Sequence, residues 1–312
     1  MSTLGDLGKA LGIAGGLVAV GLAYAHVETK LFRVRRVTVP VLPAGQRPVR
    51  VLHVSDLHLM PDQRIKQDWV RSLAALEPDL VINTGDNFGH PDSLAPLLDV
   101  LGRLMDVPGA FVMGSNDYYA PMFKNPARYL LPDAREDRDD RVRLPAESLA
   151  KAFTDAGWVD LDNRRGLVEL RDGRKIGLVG MDDPHLELDV MPEPGRAPGE
   201  EEAVLRLGVV HAPYKRVLDQ LRTDGVDAII AGHTHGGQLC LPLYGALVTN
   251  CDLDRGRASG LHGWPGPRPD REGGEHSTWL HVSAGAGTSP FAQVRFACRP
   301  EATLMTLTAR AV

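Results

Sequence analysis

The chain reads as a layered α/β domain. Two observations predict this. Short apolar stretches recur along the sequence, each closing on polar residues, and several are separated by segments with apolar residues three and four positions apart. Strands alternating with helices pack as sheet covered by helix. A third observation points the same way: the polar residues gather at the carboxyl ends of the strands, where layered α/β folds place their sites.

The elements follow in order. Residues 10–25, ALGIAGGLVAVGLAYA, carry no charge. That run is slightly short of the roughly 20 residues that span a bilayer. A signal-peptide core and a buried helix compete with the membrane reading, and Ala23, Tyr24 and Ala25 resemble a cleavage site. Asp6 offsets Lys9, however, so the leading region is barely basic. Residues 1–26 are therefore expected to remain as a hydrophobic N-terminal helix anchored in the membrane. Lys30, Arg33, Arg35 and Arg36 follow, and by the positive-inside rule they would hold the downstream domain on the cytoplasmic side. Residues 27–48 read as a linker or lead-in strand broken at Pro40 and Pro43, and residues 49–312 as the main domain.

Strands are expected in VRVLHVSDLHL (49–59), PDLVINTGDNFGH (78–90), GAFVMGSNDYY (109–119), RKIGLVGMDDPH (174–185), LRLGVVHAPY (205–214), VDAIIAGHTHGG (226–237) and STWLHVSAGAG (277–287). Helices are expected over 65–76, 93–104 and 214–225, the last closing at Gly225. Residues 133–143 form a charge run, and 192–202 and 262–274 are rich in Pro and Gly; all three read as surface loops, with Trp264 as an exposed contact. The net charge of -5 gives no basic footprint for nucleic acid. Three cysteines without metal spacing do not make a disulfide framework.

Collected from the strand ends, the polar residues are Asp56 and His58, Asp86, Asn116 with Asp117, His211, and His233 with His235. Singly each has a bland explanation: a cap, a turn, a satisfied core histidine. Together they are carboxylate, carboxamide and imidazole at one sheet edge, a mixture that suits zinc, manganese or iron. The set exceeds what one tetrahedral ion needs, and two ions sharing a carboxylate would use it.

The blocks SDLHL, TGDN, GSND, VVHAP and GHTHGGQ resemble those of the calcineurin-like metallophosphoesterases, and the C-terminal stretch VSAGAGTSPFAQVRFACRPEATLMTL resembles their membrane-associated bacterial branch. The resemblance covers about residues 50–310. It implies a four-layer β-sandwich flanked by helices, with a metal site at one sheet edge. It implies that Asp56, His58 and His235 bind one divalent ion, that Asp86 bridges, and that Asn116 or its neighbour, His211 and His233 bind a second. The ions would be Mn, Zn or Fe, and a hydroxide between them would attack phosphorus.

One block departs from the family, which usually reads Gly-Asn-His-Asp or Gly-Asn-His-Glu there; this chain reads Gly114, Ser115, Asn116, Asp117. The usual histidine, which helps protonate the leaving group, is missing. Asn116 as carboxamide ligand is favoured over the Ser115 hydroxyl. His53, His90 or His185 would compensate for the histidine, and His90, four residues past Asp86, is the candidate taken as catalytic beside Asn116. Asp182 and Asp183 either orient ligand histidines or make a turn. The expected activity is hydrolysis of a phosphate ester, a diester first, near the membrane or envelope, with a lipid-linked substrate as one candidate. The rival is a membrane-anchored metal-binding module with little turnover.

Overall fold

The computed structural model describes residues 15–16, 19–123 and 141–310. Most of the charge run at 133–143 and much of the expected anchor at 1–26 lie outside the described residues. Residues 19–28 form a helix, α1. Among the described residues no helix is long and apolar enough to cross a membrane.

Two six-stranded sheets make the body. The first runs in the order β1 (Arg33–Leu42), β14 (Glu301–Ala309), β2 (Val49–Val54), β3 (Leu80–Asn83), β4 (Gly109–Phe111), β5 (Val159–Asp160). The second runs β12 (Gly260–Trp264), β13 (Thr278–Val282), β9 (Ala228–Ala231), β8 (Ala203–Val210), β7 (Lys175–Met181), β6 (Arg165–Glu169). A short hairpin joins β10 (Cys240–Leu241) to β11 (Gly245–Ala246).

Side chains alternate across a strand, and each sheet therefore buries two faces. Val49, Val51, Leu80 and Ile82 meet Leu178, Leu207, Ile230 and Trp279 between the sheets. Leu52, Val54 and Val81 face outward, onto Val70 of α2 (Arg64–Ser72), Leu97 and Leu101 of α3 (Leu94–Met105) and Leu149 and Phe153 of α5 (Ala146–Asp155). On the far side Val210, Ile229 and Leu280 pack against Val217, Leu218 and Leu221 of α6 (Lys215–Thr223). The result is the expected four layers, helix on sheet on sheet on helix. Strands buried on both faces read as continuous apolar runs, as parallel strands do.

One expectation is corrected. Trp264 is not an exposed loop residue: it ends β12, is buried, and donates its indole N–H to Asp219. Residues 33–42, inside the expected linker or lead-in strand, pair in parallel with β14 along their length. Glu301, fully buried, accepts from Arg33 and Arg35 and locks the two strands together.

β2, β3 and β4 are mutually parallel in one sheet, and β7, β8, β9 and β13 in the other. Their carboxyl ends meet at one edge of the sandwich, and the loops leaving them carry the polar set.

Candidate metal centre

Asp56 and His58 follow β2, Asp86 follows β3, His211 follows β8, and His233 and His235 follow β9. Asn116 lies in α4 (Ser115–Tyr118), just past β4. The turns that bring these side chains together are strained. Asp56, His58, Asp86, His233 and His235 all have positive φ, between 38° and 68°. Outside glycine such angles cost about 1–3 kcal/mol each and collect at functional sites. The glycines give the space. A Cβ at Gly114 would come 2.5 Å from an Asp86 oxygen and 2.7 Å from the His211 ring.

The histidines form two pairs. His58 Nε2 lies 3.2 Å from His235 Nε2, and His211 Nε2 lies 3.3 Å from His233 Nδ1. Asp86 stands between them: Oδ2 is 3.4 Å from His58 Nε2, and Oδ1 is 3.6 Å from His211 Nε2. Asp56 Oδ1 is 3.5 Å from His235 Nε2. Donor atoms of Asp56, His58, Asp86 and His235 all fall within 4.8 Å of one another.

The remaining ring nitrogens settle the tautomers. His211 Nδ1 donates to the Thr84 carbonyl at 2.6 Å, His235 Nδ1 to the Gly287 carbonyl at 3.0 Å, and His233 Nε2 to the Asn250 carbonyl at 3.1 Å. Carbonyls only accept, so each outer nitrogen carries a proton and the inner one faces the cleft. Burial drives the pKa of His58 down to about 4, and those of His233 and His235 well below the usual range. These rings are neutral at pH 7, the form that binds metal. His58 Nδ1 is buried without a partner among the described residues. Burial alone would raise the Asp86 carboxyl, but the neighbouring His211 and His58 outweigh it and hold it below the carboxylate range. Burial raises Asp56 to about 6. Neutral imidazoles facing buried carboxylates at this spacing fit divalent cations.

Asn116 is in the site, but it is turned toward Asp86. Its backbone N–H and side-chain amide donate to the two carboxylate oxygens at 2.7 and 2.8 Å. Ser115 lines the same pocket. Asp117 faces away and accepts from three backbone N–H groups, of Asp86, Asn87 and Gly114.

The structure does not bring His90 to the site. It caps a short turn at the surface, where its Nδ1 accepts from the Asp92 N–H. His53 is buried between the sheets against His281. His185 lines the site pocket with Ser115 and Asn116, and its ring centroid lies 4.7 Å from that of His233. Asp183 Oδ1 accepts the His185 N–H, which makes the turn expected of an Asp before a proline. Asn250, on a loop with no motif, carried no signal in sequence; its backbone carbonyl accepts from His233 Nε2, and its side-chain amide lies 3.4 Å from the same nitrogen.

A β-sandwich whose carboxyl edge gathers aspartates and histidines around a buried cleft defines a metal-dependent hydrolase of phosphoric esters. The chain belongs to the calcineurin-like phosphoesterase family, whose model matches residues 49–237. It is 27% identical over 75% of its length to an uncharacterized metallophosphoesterase of Aquifex aeolicus, covering 81% of that protein. It is 24% identical to phosphodiesterase YaeI of Escherichia coli, over 92% of this chain and 93% of that one. It is 25% identical to the UDP-2,3-diacylglucosamine pyrophosphatase LpxG of Chlamydia trachomatis, over 90% of each.

Proposed function

We propose that the protein is a phosphodiesterase with a dinuclear metal centre. Asp56, His58 and His235 hold one divalent ion, His211, His233 and Asn116 the other, and Asp86 joins them. The carrying observation is the placement of Asp86, which offers one oxygen to each histidine pair. Bound there, two such cations supply an activated water and neutralise charge on the phosphate. The protein's own residues do the rest. The carbonyls of Thr84, Gly287 and Asn250 fix the ring orientations, and the loops around Ser115 and Ser289 enclose the ester. Asn116 would turn its amide about to present oxygen.

The direct test is hydrolysis of bis(p-nitrophenyl) phosphate by metal-stripped protein with Mn²⁺, Zn²⁺ or Fe²⁺ added back, with bound metal counted per chain. Turnover with one ion per chain would rule out the dinuclear arrangement.

Metal uptake should release protons. Burial pulls His211 down, but the charges of Asp86, Asp183 and Asp56 outweigh it and raise its pKa to about 9. In the metal-free protein at pH 7 this ring is therefore protonated on Nε2, and the ion must displace that proton. Apparent affinity should rise about tenfold per pH unit up to that value. Calorimetry in two buffers of different ionisation enthalpy reads the proton count; zero release would remove His211 from the ligand set.

We assign to His185 the proton-donor role that the sequence suggested for His90, because it lies in the pocket and His90 does not. General acid catalysis contributes about 10²–10⁴-fold and matters most for poor leaving groups. His185→Gln should slow an alkyl diester by about 10²-fold and leave the p-nitrophenyl diester nearly unchanged. Equal losses on both would end the assignment.

The substrate we favour is lipid-linked and met at a membrane. Support comes from the uncharged run at residues 10–25 and from the Chlamydia trachomatis relative, whose name specifies a diacylated nucleotide sugar.

A further inference from the structure

The mouth of the metal site is rimmed by exposed apolar side chains. Met122, Gln238 and Ser289 line the pocket. Phe123, Leu239 and Phe291, one or two positions further along the same loops, are exposed. Phe123 and Phe291 meet edge to face, centroids 6.3 Å apart. The β10–β11 hairpin extends the rim with Leu241, Leu243 and Tyr244, of which Leu243 at the tip is fully exposed. A large apolar side chain left in water forgoes the stabilisation its burial would bring. A contiguous group of them marks an interaction surface.

The foot of α1 reaches the same rim. The Tyr24 ring packs edge-on against Phe296 at 5.6 Å, and Phe296 hydrogen-bonds through its backbone to Gln238 and Cys240 on either side of Leu239. On α1, Val20, Leu22 and Val27 are also exposed. The rim is thus continuous with the exposed apolar side chains of α1. Cations edge it. Lys30 and Arg64, with Asp62, line a cavity of about 380 Å³ between α1 and α2, and the Arg255 guanidinium lies 4.8 Å over the Tyr244 ring. Apolar and aromatic groups flanked by long cationic side chains fit the boundary between anionic headgroups and acyl chains.

We infer that this rim docks on the surface of an anionic lipid bilayer. The hairpin tip enters the headgroup–acyl boundary, about 5–10 Å deep, and the metal site opens onto the headgroups. The consequence for substrate choice rests on the phosphodiesterase reading; the docking does not.

The test places a reporter in the full chain. Leu243→Trp, read against the background of the 4 native tryptophans, is mixed with vesicles of phosphatidylcholine and phosphatidylglycerol, with and without brominated acyl chains. Blue-shifted emission and loss of intensity with brominated lipid are expected. Glu169→Trp, on an exposed position at the end of β6 remote from the site, should show neither. Absence of quenching at Leu243→Trp in vesicle-bound protein overturns the docking. So does equal quenching at both positions, or a lipid-free dimer that buries the reporter and stays intact on vesicles. Equal quenching in pure phosphatidylcholine overturns the anionic preference. Hydrolysis of bis(p-nitrophenyl) phosphate is measured on the same sample: quenching without metal-dependent turnover removes the phosphodiesterase reading and leaves the docking standing.

Discussion

Asp86→Ala is expected to lower metal-dependent hydrolysis of bis(p-nitrophenyl) phosphate by about 10³-fold or more, about 4 kcal/mol of transition-state stabilisation. The argument is geometric. Asp86 is the group that meets both histidine pairs, and it is almost fully buried. Without it, the charge of two cations would have no shared anion. The substitution also strips the Asn116 N–H and amide of their acceptors, which now lie at 2.7 and 2.8 Å. Asp86→Asn separates the two effects. It keeps a carbonyl oxygen for Asn116 but brings no negative charge. Loss of turnover in both variants, with bound metal reduced and the melting curve of Asp86→Asn close to native, is the expected pattern. Turnover within tenfold of native in either variant would remove Asp86 from the centre.

The second large effect is on stability. Asp117→Ala should cost about 2–4 kcal/mol. Asp117 is fully buried and accepts from the N–H groups of Asp86, Asn87 and Gly114 at 2.8, 2.8 and 3.0 Å. Each donor left unsatisfied costs about 1–3 kcal/mol. Burial, helped by the Asp86 charge, raises the Asp117 carboxyl to about 6. Removing that unfavourable buried charge offsets part of the loss, so the net lies below the sum of the three bonds. Because the anchored backbone is that of Asp86, metal affinity should fall too, by about 10–100-fold, as for groups that support a ligand. Thermal unfolding reads the first effect and metal titration the second. A native melting temperature would show that water or other groups satisfy the donors.

Much of this centre was legible in sequence because its residues are fixed in linear motifs. A candidate ligand one to three positions past the end of a parallel strand leaves a mark in one dimension, as Asp56 after Val54 and His233 after Ala231 do. The four layers were legible for a similar reason, since β2, β3, β8 and β9 are apolar on both faces. Partners that act through space left no such mark. His185 and His90 each follow a strand end, and only the packing of His185 on His233 separates them. Asn250 acts through its carbonyl, which every residue possesses. β12 was hidden because Pro265 and the glycines around it look like a loop, while the strand gains its order from pairing with β13. The left-handed backbone at Asp56, His58, Asp86, His233 and His235 is uncommon outside glycine, even for aspartate and histidine, which adopt it more often than most residues. Local propensity predicts it poorly; neighbouring loops impose it.

The place of β14 bears on how the molecule is made. It lies between β1 and β2, so Thr303 pairs with His53 and Glu301 with Arg33. Of all the strands it leaves the ribosome last. Until then β2, which leads to Asp56, has one naked edge, and β1 has no neighbour at all. Such sequence-distant pairing slows folding, and unpaired edges invite association with other chains. The first sheet cannot close until β14 has been made, so the nascent chain carries the strand that leads to Asp56 with an unprotected edge throughout synthesis of the second sheet, and chaperone demand should concentrate there.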